Sequence, residues 1–207
     1  MRPIAYLAGP DVFLPNAPEH ARRKAEICAR HGLHARPPLN EDIATLAAMS
    51  ERDAWRAIYQ KDLEMMEASD LAIVNLTPFR GASADAGTLV ELGWFLGRNR
   101  PVFAYSNSAE TFTARSATIL EAVPDPIAGL TVGGFGLPDN LMIAGAVEQT
   151  GGYPILLPEQ GSLPFDSLEM FERCVMIAAA EMGRRHPLKD AATGSGGTAS
   201  GNQGVER

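Results

Sequence analysis

Short apolar runs alternate with amphipathic stretches along this chain, and the alternation predicts its elements. Residues 4–9 form an apolar run closed by Gly9-Pro10, which reads as a buried strand stopped by a turn. A loop containing Phe13 and two prolines follows. Helical periodicity then runs from 17 to 30 and ends at His31-Gly32, where glycine suits a left-handed C-terminal position. Residues 33–38 predict a polar, proline-flanked edge strand. Ser50 predicts the N-cap of a helix through Ala68, with Trp55, Ile58, Leu63 and Met66 on its apolar side. The β-branched segment 70–76 is the clearest strand. It leads through Thr77-Pro78-Phe79-Arg80-Gly81 into a helix over 85–98. A strand over 101–106, a helix over 109–122, a glycine-rich loop and a helix from Leu141 come next. An apolar piece at 153–157 precedes a final helix over 166–185, whose basic last turn suits the helix dipole.

This order of strand and helix predicts an α/β fold: a doubly wound, flavodoxin-like or Rossmann-like parallel sheet with helices on both faces. Such sheets bind ligands at the carboxyl ends of strands, near the switch in strand order. Three loops therefore matter, those after Gly9, Leu76 and Ser106. One domain is expected over 1–189. The stretch 190–207 has five glycines and almost no large apolar residue, so it is expected to be a disordered tail.

Composition narrows the function. The chain has 207 residues and 18 Lys plus Arg against 25 Asp plus Glu, a net charge of −7, which leaves no basic footprint for nucleic acid or anionic membrane. No apolar run reaches the ~18 residues of a membrane span. Cys28 and Cys174 cannot build a disulfide framework and read as buried thiols of a cytoplasmic protein. His31 and His34 are close in sequence but lack a completing ligand set, and His20 and His186 are isolated, so no metal is expected.

The most informative segment runs from Ser83 to Trp94. It follows the best strand and opens a helix on which Glu91 lies one turn beyond Gly87, on the same face. Gly87 leaves that face room for a ligand, and Asp85 can fold back over the same space. Tyr6, near the carboxyl end of the first strand, can orient a nearby carboxylate. Plainer readings exist for each: a first-turn carboxylate favoured by the dipole for Asp85, a core tyrosine for Tyr6, an exposed charge for Asp62 and a helix cap for Asp139-Asn140.

Taken together, Tyr6-Leu-Ala-Gly9-Pro, Asp62-Leu, Ser69-Asp70-Leu-Ala-Ile-Val, Asp85-Ala-Gly87-Thr-Leu-Val-Glu91-Leu-Gly and Asp139-Asn140 resemble the nucleoside 2-deoxyribosyltransferases over residues 4–147. The resemblance implies transfer of a 2-deoxyribosyl group between nucleobases without a cofactor. It implies Glu91 as nucleophile at the anomeric carbon, Tyr6 holding it, and Asp62 and Asp85 in the base pocket. Gly9 and Gly87 would line the substrate site. Asp139 and Asn140 would contact sugar hydroxyls from a neighbouring subunit, so a homodimer or larger homo-oligomer with shared sites is implied. The partners are then a 2′-deoxynucleoside and a free base, in purine or pyrimidine salvage.

Rival readings are an N-glycosidase acting on a nucleoside or its 5′-monophosphate and a non-catalytic nucleoside or nucleotide sensor. Gly87-Thr88-Leu-Val-Glu91 also matches the end of a phosphoribohydrolase motif whose leading Pro-Gly-Gly is here Ser83-Ala84-Asp85. The first loop, Gly9-Pro10-Asp11-Val12-Phe13, has no arginine, and its acid is expected to repel a phosphate. That favours a nucleoside, with Arg80 as the group able to reach a phosphate instead.

Overall fold

Strands that are apolar on both sides need cover on both faces of their sheet, and that need sets the architecture. The computed structural model describes residues 2–39 and 46–185. His186 and the expected tail lie outside the described residues. Strands β1 (Ile4–Ala8), β2 (His34–Arg36), β3 (Leu71–Asn75) and β4 (Val102–Tyr105) form a parallel sheet in the order β2-β1-β3-β4. Ala5 lies opposite Leu71 across β1 and β3, and Ala72 opposite Val102 across β3 and β4. A single parallel bridge between Tyr105 and Leu156 continues the sheet beyond β4, which is what the apolar piece at 153–157 becomes.

Helices α1 (Ala17–Arg30) and α6 (Glu169–Arg185) cover one face, where Ile27, Cys28, Phe171 and Val175 meet Leu7, Ile73 and Phe103. Helices α3 (Ala86–Gly97) and α5 (Leu141–Gly151) cover the other, where Leu92, Phe95 and Val147 meet Ala8, Val74 and Val102. Both cysteines are buried and unpaired. No helix among the described residues is long and apolar enough to cross a membrane.

Local chemistry explains the ends. Ser50 caps α2 (Glu51–Glu67), its hydroxyl accepting the Asp53 amide, and Thr111 caps α4 (Phe112–Ala122) by accepting the Ala114 amide. The polar strand β2 occupies the sheet edge as expected. One expectation fails in α2. Trp55 is 55% exposed, and Met66 is the only residue of that helix among those fully buried. The helix contributes only its C-terminal end to the core, so the apolar stripe inferred from its period has no partner surface at the N-terminal end.

The chain leaves β1 for the edge at β2 and then returns to the other side of β1 as β3. Strand order reverses there, so the crevice expected in such sheets opens at the carboxyl ends of β1 and β3. The end of β1 is drawn close to β3. A Cβ on Gly9 would sit 2.7 Å from Asn75 Cβ, and the φ of +153° also favours glycine.

The packing of α5 is closer still, since a Cβ on Gly151 would lie 2.1 Å from the Val102 carbonyl oxygen. Gly151→Ala should therefore force α5 off β4 and cost about 1–3 kcal/mol or more, the usual range for overpacking. Urea denaturation measures this; an unchanged midpoint would show that α5 does not approach β4 this closely.

Candidate active site

Four side chains from three elements converge at the β1–β3 crevice. Tyr6 is fully buried in β1, and its hydroxyl donates to Glu91 Oε1 at 2.5 Å across 85 residues of sequence. Glu91 projects from the second turn of α3 and is half-buried. Its carboxyl is pushed up to about 7, chiefly by burial and further by the charges of Asp62 and Asp85, with the Tyr6 hydrogen bond opposing. None of the salt bridges among the described residues reaches Glu91. The Tyr6 hydroxyl is raised well above the usual phenol range by burial and by the Glu91 charge beside it, so it remains a donor.

Asp62 comes from the inner end of α2. Its Oδ1 is buried and has no hydrogen-bond partner among the described residues. Burial pushes this carboxyl up to about 6, against the pull of the neighbouring Lys61. A buried carboxyl oxygen left unsatisfied beside a second carboxylate is costly unless something else binds there.

Asp85 is the N-cap of α3. Its Oδ2 accepts the Thr88 amide at 3.0 Å and the Thr88 hydroxyl at 3.2 Å. A Cβ on Gly87 would lie 3.1 Å from that Asp85 oxygen. The space at Gly87 thus accommodates the cap, where the sequence suggested room for a ligand. The carboxylate also occupies the helix N-terminus, the natural anion seat after β3.

Asp139 and Asn140 have separate roles. Asp139 is buried, and its carboxylate accepts from Ser83 Oγ at 2.6 Å, the Ala84 amide at 2.9 Å and the Asn140 amide at 2.8 Å. It ties the loop before α3 to the start of α5. Asn140 is exposed and caps α5, its Oδ1 accepting the Met142 amide. Tyr6, Glu91, Asp62 and Asp85 are therefore brought together, whereas Asp139 braces and Asn140 faces outward. No group of three or more His, Cys, Asp or Glu among the described residues is arranged to hold a metal ion.

A sequence profile described as nucleoside 2-deoxyribosyltransferase matches residues 5–142, more than half of the chain. The chain belongs to that family. It is 27% identical over 203 residues to the uncharacterized protein C191.05c of Schizosaccharomyces pombe, covering 89% of this chain and 92% of that one. Among solved structures it resembles a 2-desoxiribosyltransferase from Leishmania mexicana, with TM-score 0.54 and 26% identity, over 90% of this chain and 99% of the other. The four-stranded parallel sheet with helices on both faces is thus a deoxyribosyltransferase-like fold.

Apart from Arg80, which the sequence offered as a group able to reach a phosphate, sequence reasoning gave no role to several residues at this crevice. Phe13, in the 3-10 turn Pro10–Phe13 after β1, is 56% exposed and stacks on Phe79 with centroids 5.2 Å apart and planes at 10°. Phe79 also meets Phe165 at 6.1 Å. The Arg80 guanidinium lies 4.6 Å from the Phe79 centroid and 5.2 Å from that of Phe13, on a backbone with φ of 56°. An exposed aromatic in a loop at the carboxyl end of a strand was the available signal for Phe13. Arg115 had none, because it donates to the carbonyls of Ala82, Glu110 and Pro138 rather than to an acid.

The Asp11 expectation is corrected. Its carboxylate turns inward to Lys24 Nζ at 2.7 Å and His20 Nε2 at 3.2 Å. Burial raises this carboxyl, but Lys24 and then His20 outweigh burial and hold it far below the carboxylate range. Its charge is matched inside the protein by these two groups.

A glutamate whose folded pKa of about 7 exceeds its ordinary 4.5 binds its proton more tightly when folded. Stability from this group is present at low pH and falls as pH rises from about 4.5 through 7. Glu91→Gln should remove that slope and be more stable than the parent at pH 8. Denaturation between pH 5 and 8 tests it, and parallel slopes in the two proteins would refute a strained glutamate.

Proposed function

We propose that this protein transfers a 2-deoxyribosyl group between nucleobases through a covalent glycosyl–Glu91 intermediate. The observation that carries the reading is the Tyr6–Glu91 pair: a carboxylate held in one orientation by a buried donor, with no salt bridge to it among the described residues. A Glu91 oxygen attacks the anomeric carbon as the bond to the base breaks. The bonding electrons leave on the base nitrogen, and protonated Asp62 supplies the proton that makes the base neutral. The incoming base then attacks the same carbon, the Glu91–sugar bond breaks, and the proton released by that base returns to Asp62. An Asp62 pKa near 6 allows both directions at neutral pH. The faces of Phe13 and Phe79 offer a stacking platform for a planar base.

A nucleoside without a 5′-phosphate remains the favoured substrate, though for a different reason than loop charge. Asp85 already fills the N-terminus of α3, and Pro10 has no N–H to donate. Arg80 is the observation that favours the monophosphate, since it has no acidic partner among the salt bridges of the described residues. A 2′-hydroxyl would withdraw charge from the anomeric carbon, so a deoxyriboside suits a carboxylate nucleophile better than a riboside.

Incubation with deoxyinosine and adenine should yield deoxyadenosine, and Glu91→Ala should lower that rate more than about a hundredfold, a loss of ~2.7 kcal/mol. Free deoxyribose alone would establish the hydrolase, and neither product the sensor. Adenosine and deoxyadenosine monophosphate under the same conditions should turn over more slowly; preference for the monophosphate would reverse the phosphate argument.

Assembly belongs to the same reading. Leu141 and Met142 are 51% and 72% exposed beside Asn140, and Phe135 is 82% exposed. Apolar surface at the start of α5 suits a homo-oligomer in which Asn140 reaches a partner's site. Sedimentation should show at least a dimer, and an active monomer of 22.1 kDa would exclude it.

A further inference from the structure

Asp11, Lys24 and His20 take no part in the chemistry set out above, yet theirs are the least exposed ion pairs among the described residues. The side chains of Lys24 and Asp11 are 3% and 14% exposed. The Lys24 ammonium also lies 3.3 Å from the Tyr105 hydroxyl and 4.5 Å from the Phe171 ring centroid. Desolvating such charges is expensive, and apolar side chains would fill the same volume at least as stably. What apolar filling lacks is direction.

The direction is visible in the next contacts. Asn75 Nδ2 donates to Asp11 Oδ1 at 3.2 Å, and Asn75 Oδ1 accepts the Thr77 amide at 3.0 Å. Thr77 Oγ1 accepts the Asn107 amide at 2.9 Å, and Asn107 Nδ2 donates to the carbonyls of Pro164, Phe165 and Ser167. A polar chain thus crosses the carboxyl ends of β1, β3 and β4. Rings sit along it: Phe13 two residues after Asp11, Phe79 two after Thr77, and Phe165, whose own carbonyl is held. These rings pack on one another.

We infer that Asp11 is a positioning residue, which through Lys24 and Asn75 holds the Pro10–Phe13 turn so that the Phe13 ring lies against Phe79, and thereby sets how tightly a nucleobase is held rather than how fast the glycosidic bond breaks. The inference rests on the transferase reading for its substrate but not for its geometry. Asp11 itself touches no base, and its influence passes entirely through the ring.

The test combines kinetics with a ligand-free measurement. Asp11→Asn should raise KM for nucleoside and base about tenfold, in line with the value of one base–aromatic stack, with kcat within about twofold. The double variant Asp11→Asn/Phe13→Ala should be no worse than Phe13→Ala alone, because both changes remove one interaction. With 4-fluorophenylalanine at position 13, the fluorine signal of the full chain should move toward the free amino acid on Asp11→Asn. An unmoved signal, additive KM effects, or a fall in kcat at constant KM would each overturn the inference. If Asp11→Asn leaves Lys24 too poorly matched to fold, Asn75→Ala removes the pin while keeping the ion pair and is judged by the same signal. A parent protein inert toward every nucleoside would count against the transferase reading alone, and the fluorine measurement would still decide whether Asp11 holds the ring.

Discussion

A single hydrogen bond, from the Tyr6 hydroxyl to the Glu91 carboxylate, links the middle of the sheet to the helix that carries the candidate nucleophile. The bond needs Tyr6 to be buried on the α3 face of β1, which the alternation of a strand supplies. It needs Glu91 to lie one turn into α3, which the Asp85 cap enforces. It also needs α3 to stay packed on the sheet, which Leu92 and Phe95 provide immediately after Glu91. Core, cap and site therefore share residues over a few turns of chain, and none can shift alone.

That arrangement concentrates electrostatic cost around one hydrogen bond. Among the described residues Glu91 has a donor but no salt bridge, Asp62 has a buried oxygen without a partner, and Asp85 adds a third negative charge nearby. At the back of the crevice the opposite solution prevails, with Asp11 matched by Lys24 and His20. Two acidic groups within one fold thus differ in whether their charge is compensated. The uncompensated ones are those gathered around the Tyr6–Glu91 bond.

The fold was legible because its strands are short, apolar and separated by helices with chemical end signals. Ser50 and Asn140 act as the caps their positions suggested, and α1 has its expected bounds. The Asp85–Glu91 segment was legible because a spacing of six residues across a strand-to-helix turn constrains both ends. Other features were hidden. Trp55 obeys helical periodicity but has no surface to meet, and periodicity cannot report whether a partner exists. The inward turn of Asp11 depends on Lys24, thirteen residues away, and on Asn75 from another strand. Phe13, Phe79 and Phe165 become neighbours only through the sheet order. A linear reading has no access to such three-body arrangements.

Arg115 has a consequence for how the protein can vary over evolutionary time. From within α4 it grasps Ala82, Glu110 and Pro138, and so fastens the later end of the long connection between α4 and α5 to the turn before α3 and to the entry of α4. Thr113 to Gly133 and Phe112 to Leu137 add two more stitches between the first turn of α4 and the later part of the connection. The part of the connection before these fastenings, from Val123 to Thr131, carries none of the residues named at the crevice. Insertions and deletions can accumulate there while Asp139 and Asn140 keep their places, so length divergence within the family should concentrate in that stretch.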